Sequence, residues 1–242
     1  MARIQNEVAL KPPTRPVPAT LVLWLACQTI GSLLFTATYL IEGATRPGYS
    51  TWQQPISALS LGLGGWVQQV NFVVFGAISV FTAFGWRSFL KGGVGATWFP
   101  IMRGLEGLAM IIVGIFSQDP ANGYPPGVAI PATPTLHAVI HQLFSFVSIT
   151  ALAVSFFILA WRFAKEPSWR GWATYSVITG MLVIVFITTF GILIGQHSGI
   201  AGLFERLPGI TASILGIIFC TRLWLGAGFG RFQRQVSASA SS

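Results

Sequence analysis

Thr135 to Trp161 reads TLHAVIHQLFSFVSITALAVSFFILAW, and this run decides the fold. It contains no Asp, Glu, Lys or Arg over 27 residues. A membrane-spanning helix needs about 20 predominantly apolar residues, so the run is long enough to cross a bilayer with length to spare. Five more stretches meet the same condition: Ala19 to Ile41, Trp66 to Trp86, Trp98 to Phe116, Trp172 to Gly195 and Pro208 to Gly226. A closed β-barrel would also satisfy its backbone in lipid. It would show alternating segments of about ten residues, whereas these runs are continuously apolar. The expected architecture is therefore all-α, a polytopic transmembrane bundle of six helices.

Composition agrees. Of 242 residues, 53% are hydrophobic and 8% charged, and the mean hydropathy is +0.69. A soluble domain carries about 25% charged residues, so this chain has too few charges to clothe a water-facing surface. The net charge of +8 does not indicate nucleic acid, because the basic residues form no single patch. They follow topology instead. Arg3, Lys11, Arg15, Arg87, Lys91, Arg162, Lys165, Arg170, Arg222, Arg231 and Arg234 all fall on one side of a six-span chain. Arg46 and Arg206 fall on the other, and Arg103 lies within a span. The positive-inside rule makes the richer side cytoplasmic. The expectation is a multi-pass protein of the cell (plasma or inner) membrane with both termini in the cytoplasm.

The domain occupies 19–226, with disordered cytoplasmic tails expected over 1–18, rich in proline, and 227–242, which ends in Ser and Ala only. A cleaved signal has an apolar core of about 7–15 residues. The first run continues to Ile41, which makes it a retained helix. Trp66, Trp86, Trp98, Trp161, Trp169 and Trp172 stand at span ends, where indole favours the interface. Cys27 and Cys220 lie within apolar runs and read as packing residues. Glycines inside spans (Gly76, Gly107, Gly114, Gly180, Gly191, Gly195, Gly216) read as sites of close helix approach.

The informative residues are the polar ones, because an ionisable group near the bilayer centre costs about 2.5–3.5 kcal/mol on insertion scales. Arg103 and Glu106 are three apart on the third span and share a face. Two readings stand: an ion pair that orients helices, or a carboxylate that lines a polar cavity or carries protons. On the fourth span His137, His141, Ser145, Ser148 and Ser155 fall within one sector of roughly 80°, a polar stripe expected to face the bundle interior. Asp119, Glu42, Arg46, His197 and the pair Glu205-Arg206 gather in the loops on the outer side. His137 and His141, at i and i+4, have the spacing to share a zinc ion, but they lack the glutamate of the zincin helix. The alternatives are a hydrogen-bonded structural cluster, a proton- or ligand-responsive cavity, and haem with His197 as the one candidate partner; the residues specify no cofactor.

In the first outer loop, Ile56, Leu59 and Leu63 recur at helical spacing, which predicts a short amphipathic helix on the outer surface. The segments Pro47-Gly48-Tyr49, Ile56-Ser57-Ala58-Leu59, Gly65-Trp66, Asn71-Phe72, Asp119-Pro120 and His137 stand in an order and spacing that resemble the bacterial membrane family catalogued as domain of unknown function 998. The resemblance runs from the first helix to the sixth. It implies a six-helix membrane protein and names no substrate. Function is left between a non-enzymatic protein (small transporter, sensor or accessory subunit) with an outward-facing polar cavity and a membrane hydrolase acting on a lipid at the outer interface. The hydrolase would use Ser57, Asp119, His137, His141 and His197 to hold a metal or activate water. A third reading treats every polar group as internal glue. The expected partners are the lipid bilayer and a small-molecule or lipid ligand, with no nucleic acid.

Overall fold

The computed structural model describes residues 19–90, 92, 95–165 and 169–240. The expected amino-terminal tail lies outside them, as does Lys91. The described chain is helical: α1 (Ala19–Thr45), α2 (Gly65–Phe89), α3 (Trp98–Ile115), α4 (Leu136–Ala164), α5 (Arg170–Gly195) and α6 (Ala201–Ala240). All six are long and apolar enough to cross a membrane. A 3-10 helix, Ile56–Ser60, sits in the α1–α2 connection. The chain is a multi-pass membrane protein.

Each helix packs against its neighbours in sequence, and α1 closes on α6. The result is a ring of six antiparallel helices. The α1–α2, α3–α4 and α5–α6 connections meet at one end, the loop end. There Gln54 Nε2 donates to the Asn122 carbonyl (3.2 Å) and Asn122 Oδ1 lies 3.0 Å from His197 Nδ1. Arg87, Arg162, Lys165 and Arg170 mark the opposite, terminal end.

The tightest seam is α2–α3. A Cβ added at Gly76 would lie 2.4 Å from the Gly107 carbonyl oxygen, and one at Gly107 would lie 2.6 Å from the Gly76 oxygen. Only a residue without a side chain lets these two backbones touch. Gly114 has the same role against the Gln69 carbonyl (2.6 Å). Gly191 and Gly195 do not, since nothing stands within 4 Å of a Cβ at either.

Two apolar clusters hold the ends. At the loop end Tyr39, Tyr49, Ile56, Ala58, Leu59, Phe72, Val113 and Tyr124 pack together. At the terminal end Trp86, Phe99, Phe163, Trp172 and Phe219 form an aromatic floor, with Trp86–Phe99 ring centroids at 4.7 Å and Trp172–Phe219 at 5.1 Å.

Three expectations need correction. Trp86 and Trp172 are buried in that floor and Trp169 packs partly buried against it, so of the six only Trp66, Trp98 and Trp161, all well exposed, match the interfacial belt. The first-loop segment is not an amphipathic helix on the surface. It is a 3-10 turn with Ile56, Ser57, Ala58 and Leu59 buried inside the ring and Leu63 fully exposed. Finally, α6 begins at Ala201 rather than Pro208, so Glu205 and Arg206 belong to the helix. The helix runs to Ala240.

Candidate functional site

Between the two apolar clusters the ring encloses a cavity of about 240 Å³. All six helices and the 3-10 turn contribute to its wall. Three polar groups dominate it.

The first is on α3. Arg103 Nη1 lies 2.5 Å from Glu106 Oε2, and both side chains are buried. Their spacing of three brings them onto one face, and that face lines the cavity. The contact is a buried ion pair within one helix.

The second is the α4 stripe. Ser145, Ser148 and Ser155 line the cavity as their periodicity predicts. Ser155 Oγ donates to the Leu152 carbonyl (2.7 Å). Opposite, Ser176 of α5 also lines the cavity, fully buried, and its Oγ has no partner. On the α1–α2 side Gln28 of α1 reaches the wall; Thr82 donates to its Oε1 (2.5 Å), and its Nε2 donates to Ser79 (3.4 Å).

The third is at the loop end of α6. The Glu205 carboxylate accepts from the Ile56 backbone N–H at the start of the 3-10 turn. The buried Arg206 guanidinium donates to the Tyr49 hydroxyl (2.5 Å), the Gln54 carbonyl (3.2 Å) and the Gly202 carbonyl (2.5 Å). It also lies 5.6 Å from the Tyr39 ring centroid, within cation–π range. Tyr49 donates onward to Pro55 (2.9 Å). Burial pushes the Tyr49 hydroxyl well above its ordinary value, with the Arg206 charge pulling against it. Two adjacent residues of α6 thus clamp the α1–α2 segment at the loop end of the cavity. The segment is braced from its other side by Arg46, which pairs with Glu42 (2.7 Å) and donates to the Leu61 and Leu63 carbonyls. Burial disfavours the Arg46 charge, and Glu42 together with Tyr124 outweighs that, leaving its pKa raised.

The histidines do not join this site. His141 is buried, but its ring faces the end of α3, where Nδ1 lies 2.6 Å from the Phe116 carbonyl and 3.2 Å from that of Val113. A carbonyl only accepts, so Nδ1 carries the proton and donates, satisfying carbonyls that the helix end leaves free. His137 is exposed, against the Phe116 ring (centroids 5.1 Å), so the outermost position of the stripe does not face the interior. His197 is exposed beside Asn122. Asp119 accepts from the Thr135 backbone N–H (2.9 Å) and hydroxyl (2.6 Å), while Thr135 itself caps α4 through Ala138 N (3.2 Å). Of the five groups a hydrolase would use, only Ser57 lines the cavity. Among the described residues no three His, Cys, Asp or Glu side chains gather to hold a metal ion.

Glu205, Arg206, Tyr39 and Tyr49 are the functional candidates that sequence reasoning missed. A signal for the α6 pair was present: Ala201, Glu205, Pro208, Ala212, Leu215 and Phe219 recur at spacings of four and three, one continuous inward stripe. Reading Pro208 as the first helical residue cut that stripe short.

A family model described as Protein of unknown function (DUF998) matches residues 29–222. No curated protein and no solved structure matches the chain.

Proposed function

We propose, on the premise that the chain belongs to the DUF998 family of proteins of unknown function, that it takes a small or lipid-derived molecule into its central cavity without chemically altering it, as a transporter, sensor or accessory subunit. The α1–α2 segment acts as the lid of that cavity. The distribution of Arg87, Arg162, Lys165, Arg170 and Arg222 supports a plasma or inner membrane location with the loop end facing away from the cytoplasm.

One observation carries the reading: a single cavity touches all six helices and holds Glu–Arg residues at two depths, Arg103–Glu106 and Glu205–Arg206. Ionisable residues within membrane helices face cavities and mark ligand or ion pathways, and ligand sites between bundle helices are mostly apolar with a few placed polar groups.

Native mass spectrometry of the protein released from lipid nanodiscs tests it. A one-to-one bound molecule is expected in the wild type and absent from Ala212→Phe, which fills the cavity wall. Identical bound species in both proteins would refute the proposal.

A further inference from the structure

We infer that the Arg103–Glu106 pair binds the uncharged, hydroxyl- or carboxamide-bearing end of an amphipathic molecule whose apolar part lies against the aromatic floor. This rests on the cavity reading above and adds the chemistry of its occupant.

A guanidinium has five N–H donors, and the contact with Glu106 is the only one the structure gives Arg103 among the described residues. Glu106 Oε2 meets the Arg103 guanidinium alone, and Ser176 Oγ is a buried polar atom without a hydrogen bond; the two residues are 3% and 0% exposed, and both line the cavity. Arg103, Glu106 and Ser176 stand roughly 8, 12 and 9 Å along their helices from the terminal end. The wall at this level thus offers donors and acceptors together.

The charges decide the class of ligand. The pair sums to zero with its members 2.5 Å apart. An ammonium approaching Glu106 meets Arg103 beside it, and a carboxylate approaching Arg103 meets Glu106. Either ion would also be stripped of water at mid-membrane, a far larger penalty than burying a neutral polar group. A hydroxyl avoids both problems, because one oxygen accepts from Arg103 while its proton goes to Glu106 or Ser176.

Phe99 stands one turn from Arg103 on α3, and with Trp86, Trp172 and Phe219 it lines the same cavity. A cavity of about 240 Å³ falls short of the roughly 300–1,000 Å³ of drug-sized sites. That limits the occupant to a small molecule such as a short-chain alcohol.

Photolabelling in nanodiscs tests this, with a diazirine-bearing octanol as probe and peptide mapping as readout. Octan-1-ol, octanoate and octylammonium, compared at equal membrane mole fraction, are the competitors. Saturable labelling of α3 and α5 peptides is expected, displaced by octan-1-ol at concentrations at least about ten-fold lower than by either ion. Glu106→Gln should shift the preference to octanoate, and Arg103→Gln should shift it to octylammonium. A merely structural pair would produce neither shift. Saturable labelling that the ions displace as well as the alcohol would overturn the inference and leave the cavity reading standing. Absence of saturable labelling would overturn both. If either variant fails to fold, the wild-type series alone decides.

Discussion

Arg206→Met should release the lid without dissolving the bundle. Of the three hydrogen bonds the guanidinium donates, the one to Gly202 stays within α6, while those to Tyr49 Oη (2.5 Å) and the Gln54 carbonyl (3.2 Å) reach the α1–α2 segment. Hydrogen bonds to a charged group contribute about 1.5–3 kcal/mol each. Two of them, one long, give a working figure of roughly 3 kcal/mol for lid closure, or about 10²-fold in the open population. Glu205 keeps its bond to Ile56 N, and Tyr49 still donates to Pro55, so the segment loosens rather than unfolds. Hydrogen–deuterium exchange in nanodiscs reads this directly at amides held inside the lid: Gln54 (to Ser50 O, 2.9 Å), Ala58 (to Pro55 O, 3.1 Å) and Leu61 (to Ala58 O, 3.0 Å). Their exchange should accelerate by about two orders of magnitude while α2 and α3 change far less. Arg206→Lys should recover part of the protection, because a point-like ammonium cannot address both acceptors as a planar fork does. Exchange over 49–60 within a few-fold of wild type in a folded Arg206→Met protein would refute the clamp. So would acceleration spread evenly through all six helices, which would make Arg206 general bundle glue.

The other expected outcomes are more local. Gly107→Ala forces a Cβ to within 2.6 Å of the Gly76 oxygen and 2.8 Å of Val80 N. It should cost about 1–3 kcal/mol by overpacking, seen as a lower melting temperature, whereas Gly191→Ala, with open space around it, should cost nothing. Asp119→Ala removes both acceptors for Thr135 and should cost about 1 kcal/mol, the scale of a lost cap. Faster exchange at the first amides of α4 with unchanged ligand binding would report it; lost binding with an intact α4 start would contradict a structural Asp119. The raised Tyr49 pKa means the unfolded chain gives up this proton before the folded one does. Stability linked to it is therefore full below a pH of about 10 and falls as pH rises past that value; Tyr49→Phe should flatten the alkaline slope of the melting temperature, and parallel slopes would count against it. The double variant Arg103→Met/Glu106→Leu should melt no lower than wild type, since apolar replacement of a whole buried ion pair is often neutral or stabilising; a steep drop would assign the pair to structure.

The fold was legible because six apolar runs and the segregation of basic residues each follow from a bulk property of the bilayer, and neither depends on the detail of packing. The α4 stripe was legible from Ser145 to Ser155 for a similar reason: period alone sets the face. It failed at His137, in the first turn, where the chain has only begun to enter the ring. His141 was correctly inward, but its direction was set by the free carbonyls at the end of α3, and no periodicity can report a partner 25 residues away. Glu205-Arg206 was misplaced by a local rule that competed with a longer pattern, and the inward position of Tyr49 depends on Arg206, 157 residues away. The placement of the α1–α2 segment could not be read, because a 3-10 turn with a Pro-Ile-Ser-Ala-Leu sequence acquires its position from partners distant in sequence, Glu205 and Arg206 of α6 among them.

The polar residues of this bundle divide by what they face, and the division bears on why the charges are there. Where helices must be held together, the chain uses cheaper means. Gly76 and Gly107 bring two backbones into contact, Gln28, Ser79 and Thr82 exchange neutral hydrogen bonds, and His141 closes the end of α3. None of these needs an ion in the membrane. Arg103 and Glu106 come from one helix, so their ion pair ties no two helices together, and the face they share opens on the cavity. Glu205 and Arg206 likewise share a helix, but they reach out to the α1–α2 segment. On the proposed reading one pair bears on what enters the cavity and the other on what covers it, and a bundle that needed only to stand would have needed neither.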